Sequence, residues 1–212
     1  MIIVTSVNIG QRETIQDGKR RYQTGINKKP VTEPVMVGEI GLQGDAVCDT
    51  RSHGGPDQAV YLYRSEDYEW WSSELGRKIG AGTFGENLTV AGLSSPALMV
   101  GDRLRFPDLV LEVTAPRIPC STLATTMGDA KFAKTYMQAS RPGIYFRVIR
   151  IGTVTRGDEI ELIPNENKSI STVTFFHDFH RKLNREEIKR YLELPIDIRS
   201  RTDLEKRLKK HQ

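Results

Sequence analysis

The sequence predicts a mainly β chain, a barrel or a sandwich, followed by a small bundle of three helices. Three observations carry this reading. Apolar residues alternate with others in Leu109/Leu111/Val113 and in Ile144/Phe146/Val148, the period of two expected of strands. A Gly-Asp turn opens an alternating run twice, at Gly101-Asp102-Arg103-Leu104-Arg105-Phe106 and at Gly157-Asp158-Glu159-Ile160-Glu161-Leu162. Beyond Pro164-Asn165-Glu166-Asn167-Lys168-Ser169 the pattern turns helical, in short amphipathic segments at 171–182, 185–194 and 202–210 separated by Asn184 and Pro195. The expected division is 1–165 for the β domain and 166–212 for a helical extension.

Taken in order, Met1-Ile2-Ile3-Val4-Thr5 reads as a first strand, because it lacks the basic start of a signal peptide and soon turns polar. One helix is expected inside the β region. Ser65 is a suitable N-cap, Glu66 and Asp67 place negative charge in the first turn, and Gly76 is a suitable stop. Tyr68, Trp71 and Leu75 then share a core-facing side, with Trp70 pointing elsewhere. The three tail helices are too short to stand alone and need mutual packing, docking on the β domain, or a homodimer.

Composition narrows the class. With 212 residues, seven Phe, seven Tyr and two Trp, the chain can build a core, which excludes disorder, collagen and coiled coil as whole-chain descriptions. No apolar run reaches the ~18–20 residues of a membrane helix. Cys48 and Cys120, with no export signal, read as free thiols of a cytoplasmic protein. The net charge of +4 sits wholly in 171–212, which carries eleven Lys/Arg and seven Asp/Glu, while the first 170 residues balance. Mixed signs on short helices read as a solvated face, and no aromatic platform points to nucleic acid. The tail is therefore expected to be dispensable for any site in the β region.

Three clusters carry candidate chemistry. In Arg51-Ser52-His53-Gly54-Gly55-Pro56-Asp57, a tight turn allows close approach to a ligand, although His53 would equally serve as a loop hydrogen-bonder. In Ala115-Pro116-Arg117-Ile118-Pro119-Cys120, a strand-end thiol is bracketed by prolines, and Arg117 would favour its thiolate; a buried structural Cys is the plainer reading. The basic stretch around Tyr22-Gln23-Thr24-Gly25-Ile26-Asn27-Lys28 offers cations and a Thr-Gly turn as an anion seat. A fourth segment, Thr83-Phe84-Gly85-Glu86-Asn87-Leu88, places Glu86 and Asn87 after a turn, for a polar heterocycle or as a turn cap. A Cys48/Asp49/His53 metal site lacks a fourth member.

In sequence order, Thr24-Gly25-Ile26-x-Lys28, Gly41-Leu42-x-Gly44-Asp45, His53-Gly54-Gly55-Pro56-Asp57, Phe84-Gly85-Glu86-Asn87-Leu88, Gly101-Asp102, Pro116-Arg117-x-Pro119-Cys120 and Arg141-Pro142-Gly143-x-Tyr145 resemble the MOSC domain, and more closely its YiiM-type stand-alone bacterial members. The resemblance covers about 1–163, and the tail resembles that group's three-helix extension. It implies a MOSC-type β-barrel that associates with the molybdenum cofactor (Mo-molybdopterin). It also implies reduction of small N-hydroxylated bases such as 6-hydroxylaminopurine, with electrons from an unidentified donor. Carried over by position, Cys120 is the thiol that ligates molybdenum or carries sulfur. Thr24, Lys28, Asn87 and Arg141 fall on cofactor-cleft positions together with His53, and Arg117 is a further cofactor-side cation. His53 would deliver a proton as the N–O bond is cleaved. A persulfide carrier and a non-catalytic cofactor carrier are the other readings.

Overall fold

The computed structural model describes residues 1–93 and 98–210. Thirteen strands and six helices follow one another along the described residues. Strands β1 (Ile2–Gly10), β2 (Glu13–Asp17), β3 (Arg20–Thr24), β4 (Lys28–Val31), β5 (Val35–Gly38) and β6 (Gly41–Leu42) lead through a single 3-10 turn, Pro56–Gln58, into β7 (Val60–Arg64). Helix α1 (Ser65–Glu74), β8 (Leu88–Ala91), β9 (Arg103–Arg105) and β10 (Val110–Pro116) come next. Two helices, α2 (Ser121–Met127) and α3 (Phe132–Ala139), precede β11 (Ile144–Arg150), β12 (Gly152–Val154) and β13 (Glu159–Ile163). The tail holds α4 (Thr172–Asp178), α5 (Arg185–Leu192) and α6 (Ile198–Lys209).

Seven strands close a barrel in the order β13-β9-β10-β11-β7-β8-β1, with β1 returning to β13 through Ile2↔Ile160. All ring pairings are antiparallel except β7 with β8. Such closure leaves no free edge around the ring. The two Gly-Asp turns explain part of it. Gly101 and Gly157 both take positive φ, and the next residue's carboxylate accepts the amide three positions back: Asp102 from Met99 (2.8 Å) and Asp158 from Thr155 (2.9 Å). The strands they open, β9 and β13, are hydrogen-bonded neighbours.

Strand β7 shows how the core divides. All five of its residues are buried. Val60 and Leu62 face the barrel interior with Val4, Leu88, Val113 and Phe146. Tyr61 and Tyr63 face outward into a second, aromatic core built by Trp71 of α1, Phe84, and Phe132 and Tyr136 of α3. Alternation along one strand thus feeds two cores. Gly143 is required for this: a Cβ there would lie 2.2 Å from the Tyr61 ring.

The sequence reading departs from the structure in the helices. The N-cap position of α1 is Arg64, not Ser65, whose hydroxyl instead pairs with Thr5 (2.8 Å). Buried Arg64 turns onto Asp67, so β7 runs directly into the helix. Gly76, at φ 60°, does end it. Helices α2 and α3 were not expected. Thr122, Thr125 and Thr126 give α2 poor intrinsic propensity, and it forms because Leu123 and Ala124 are buried. In the tail, α4 stops at Asp178, short of Lys182, while Ser171, Asn184 and Asp197 cap α4, α5 and α6 with their side chains. The tail core includes Val100 and Ala115 from the barrel. No helix among the described residues is long and apolar enough to cross a membrane.

Candidate functional site

The site is built where β10 ends. The Arg117 amide donates to the Gly143 carbonyl (2.8 Å), so the strand's last bond is made to the neighbouring loop. Ile118 and Pro119 then carry the chain to Cys120, the N-cap residue of α2. The Arg117 side chain folds back along this loop. Its guanidinium donates to the Ile118 carbonyl (2.7 Å) and to Cys120 Sγ (3.2 Å). It lies 5.9 and 6.0 Å from the ring centres of Tyr61 and Tyr145, a cation held between two aromatic faces.

This setting decides the state of the thiol. Burial alone would push the Cys120 pKa up. Neighbouring His53, the charge of Arg117 and the Leu123 amide more than offset it, bringing the pKa down to about 5. Cys120 is therefore a thiolate at neutral pH. Burial pushes the Tyr61 and Tyr145 phenols upward, which keeps both neutral beside Arg117.

Cys120 opens on a cleft of about 160 Å³ whose wall also includes Thr24, Lys28, His53, Asn87 and Arg117. Thr24 is buried, and its hydroxyl accepts the Ile26 amide (3.1 Å), which leaves the hydroxyl hydrogen free to donate. The Thr24-Gly25 turn packs so closely that a Cβ on Gly25 would lie 1.9 Å from the Ala46 carbonyl oxygen. Lys28 is not a free cation. Its Nζ meets both oxygens of Asp45 (2.5 and 2.6 Å), and both side chains are under a tenth exposed. Asp45 also accepts from the Gly10 amide (2.7 Å) and from Asn87 Nδ2 (2.9 Å), while Asn87 Oδ1 accepts the Tyr61 amide (3.1 Å). Lys28, Asp45 and Asn87 thus form a closed brace under the cleft.

Arg141 is not part of the cleft wall. Its guanidinium bonds Asp67 (2.7 Å) and lies 4.7 Å from the ring centre of Trp70, on the α1 side. Glu86 is fully buried and braces the aromatic core, accepting from Tyr68, Gly82 and Thr89. Burial pushes its pKa up against those donors.

Sequence reasoning quoted Asp45 and Tyr145 within motifs without giving them a role, and passed over Tyr61 and Arg199 as site residues. Arg199 is the most consequential. From the first turn of α6 its guanidinium donates to four carbonyls, those of Thr50, Arg51, His53 and Gly54, at 2.8–3.1 Å. Nearby, Asp57 accepts from Arg147 of β11 (3.0 Å) and from the Ile198 amide (2.8 Å). The tail therefore holds the loop that carries His53, contrary to the expectation that it stands apart from the site. Among eleven tail cations, the sequence offered no signal singling out this one.

Residues 49–161 match the model of the MOSC domain. The chain belongs to the MOSC domain family. It is 37% identical to YflK of Bacillus subtilis (strain 168) over 191 residues, 89% of this chain and 86% of that one. It is 31% identical to YiiM of Escherichia coli (strain K12) over 160 residues, 74% of this chain and 70% of that one. The crystal structure of YiiM from Geobacillus stearothermophilus superposes with a TM-score of 0.81 at 30% identity, covering 98% of this chain and all of the other. This is a MOSC protein of the YiiM type, and the matched MOSC segment contains His53, Asn87, Arg117 and Cys120. Thr24, Lys28 and Asp45 come from before that segment and Arg199 from after it, so the site of this MOSC protein draws on the whole chain.

Proposed function

We propose that this MOSC protein holds the molybdenum cofactor at Cys120 and reduces N-hydroxylated nucleobases such as 6-hydroxylaminopurine. The observation that carries this is the Cys120 thiolate, held by Arg117 and His53 in a walled cleft. Among the described residues no three His, Cys, Asp or Glu side chains gather to hold a bare metal ion. A single soft thiolate suits a metal that arrives with its own ligands, as molybdenum does on its pterin. At the cofactor's anionic end, the free hydroxyl hydrogen of Thr24 would donate, while Lys28 and Asn87 support the floor.

When bound, the cofactor supplies two-electron redox chemistry. Cleaving the N–O bond of a hydroxylamine consumes two electrons and two protons and yields an amine and water. In this reading His53 hands a proton to the departing oxygen. Arg117, fixed between Tyr61 and Tyr145, keeps the Cys120 sulfur charged and aimed without itself exchanging protons.

Protein isolated from a cofactor-competent host tests this. Cys120→Ser is expected to abolish reduction of 6-hydroxylaminopurine, whereas Cys48→Ser, on the same cleft wall, retains most of it. Equal activity in the two folded variants, at equal molybdenum content, would remove Cys120 from the mechanism. Loss of molybdenum together with activity assigns the thiolate to ligation. A second reading, a persulfide carrier, draws on the same low thiol pKa; a stable 32 Da adduct on Cys120 (about the mass of one sulfur atom) without turnover would favour it.

A further inference from the structure

A second cavity, of about 560 Å³, shares seven lining residues with the cofactor cleft, Cys120, His53, Arg117 and Tyr145 among them; the helical tail supplies seven more and the barrel with its loops the other five. The volume lies within the range of small-molecule pockets. Phe175 and Phe179 of the tail, with Ile118 and Pro116 of the barrel, supply flat apolar surface. Phe179, 36% exposed, stands at the rim.

The cations of this wall are already engaged. Arg199 is bonded to the four carbonyls of the His53 loop, Arg207 to Asp203 (2.7 Å), and Arg117 to Cys120 and Ile118. Asp197 caps α6 through the Arg199 and Ser200 amides. Three Arg face three Asp and the Cys120 thiolate, and that thiolate is paired with Arg117. An anionic ligand finds no free cation there, and a cationic one would meet Arg117. What remains is flat apolar surface, the hydroxyls of Ser121 and Ser200, and two buried acceptors without a partner among the described residues, Gln58 Oε1 and Asp197 Oδ2. That combination suits a neutral, planar heterocycle with polar edges.

We propose that the tail-walled cavity is a substrate chamber for neutral, planar N-hydroxylated heterocycles, reaching the Cys120–His53 wall separately from the cofactor cleft. The substrate chemistry rests on the reductase reading above, whereas the chamber's place between the tail and the Cys120–His53 wall rests on geometry alone. It also gives the tail a role: the helices supply seven of the chamber's nineteen lining residues and fix the His53 loop, which lines both spaces.

The test uses full-length, cofactor-free protein and the free base 6-hydroxylaminopurine, with binding followed by calorimetry. Wild type is expected to bind. Ser200→Trp, which fills the chamber, and Phe179→Ala, which removes a rim wall, should each raise Kd at least about tenfold, roughly 1.4 kcal/mol. Gln23→Trp, on the cleft side, should leave Kd within about twofold. If Ser200→Trp fails to fold, Phe179→Ala decides, since its side chain is at the rim. No binding by wild type, unchanged binding in the chamber variants, or loss confined to Gln23→Trp would overturn the proposal. Molybdenum and pterin analysis of the same proteins from a cofactor-competent host keeps the two readings apart. Wild type free of cofactor yet binding the base in the chamber sinks the cofactor reading and sustains this one; cofactor-loaded wild type that ignores the base does the reverse.

Discussion

At the scale of single residues, the thiol chemistry is the most local feature of this molecule. Pro116, Arg117, Pro119 and Cys120 are neighbours in the chain, so their contact needs no long-range folding to foresee, and Arg117 does reach Cys120 Sγ. His53 comes from elsewhere, and its approach to the thiol was not legible. A pKa near 5 has a direct consequence. Between pH 6.5 and 8.5 the thiolate fraction of Cys120 is already close to one. In a Cys48→Ser background, its alkylation by iodoacetamide should therefore be nearly flat with pH, while N-acetylcysteine accelerates by about tenfold per unit below its ordinary pKa. His53→Ala removes the largest stabilising contact and should restore a rise through this range. A wild-type rate that climbs as steeply as the free thiol would show that Arg117 and His53 do not hold the charge. The stability sign follows from the same depression. The contribution is complete above the ordinary thiol pKa and is lost as pH falls through about 5.

At the scale of elements, the strands were legible and the helices only partly. Period-two runs placed β10 and β11, and the repeated Gly-Asp turn anticipated two strands that prove to be hydrogen-bonded neighbours. Helix α2 was hidden because three threonines mask it, and because its burial is set by the aromatic core rather than by its own pattern. The basic stretch that runs into β4 was read as an anion seat of free cations and a Thr-Gly turn. The element that neutralises it, the turn carrying Asp45, lies 17 residues on and meets Lys28 only in the folded chain. Lys28 thus belongs to the brace joining β1, β4 and the start of β8. Lys28→Met would leave the Asp45 carboxylate buried without its cation, a loss of about 3–5 kcal/mol. Because the pair is shielded from solvent, the loss in urea unfolding should be nearly the same at 0.05 and ~0.5 M salt. A cost below ~1 kcal/mol that vanishes in salt would return Lys28 to the solvated surface.

At the scale of the whole molecule, charge bookkeeping set the tail apart as the basic segment but misjudged its independence. The balanced first 170 residues and the basic remainder suggested two parts that merely adjoin. Packing contradicts this, since Val100 and Ala115 of the barrel are buried in the tail's core and Arg147 donates to the Pro195 and Ile196 carbonyls. Removing the tail would expose that core face, so truncation cannot isolate what the tail does for the site. A single substitution can. Arg199→Met keeps the length and apolar stem of the side chain but deletes all four bonds to residues 50–54. Arg51, its side chain 95% exposed, offers trypsin a cleavage point within that loop. Cleavage there requires the loop to open. A hydrogen bond from a charged donor contributes about 1.5–3 kcal/mol. Even one such loss should speed cleavage after Arg51 by roughly ten- to a hundredfold where opening is in fast equilibrium. Arg201→Met is the matched control: it sits two residues on in the same helix, and its guanidinium bonds the Leu192 and Leu194 carbonyls within the tail. If both variants cleave after Arg51 at the same rate, the tail's grip on the His53 loop is general docking and not the work of Arg199. If only Arg199→Met is cleaved faster while its melting temperature stays close to the control's, the tail reaches into the site through that one side chain.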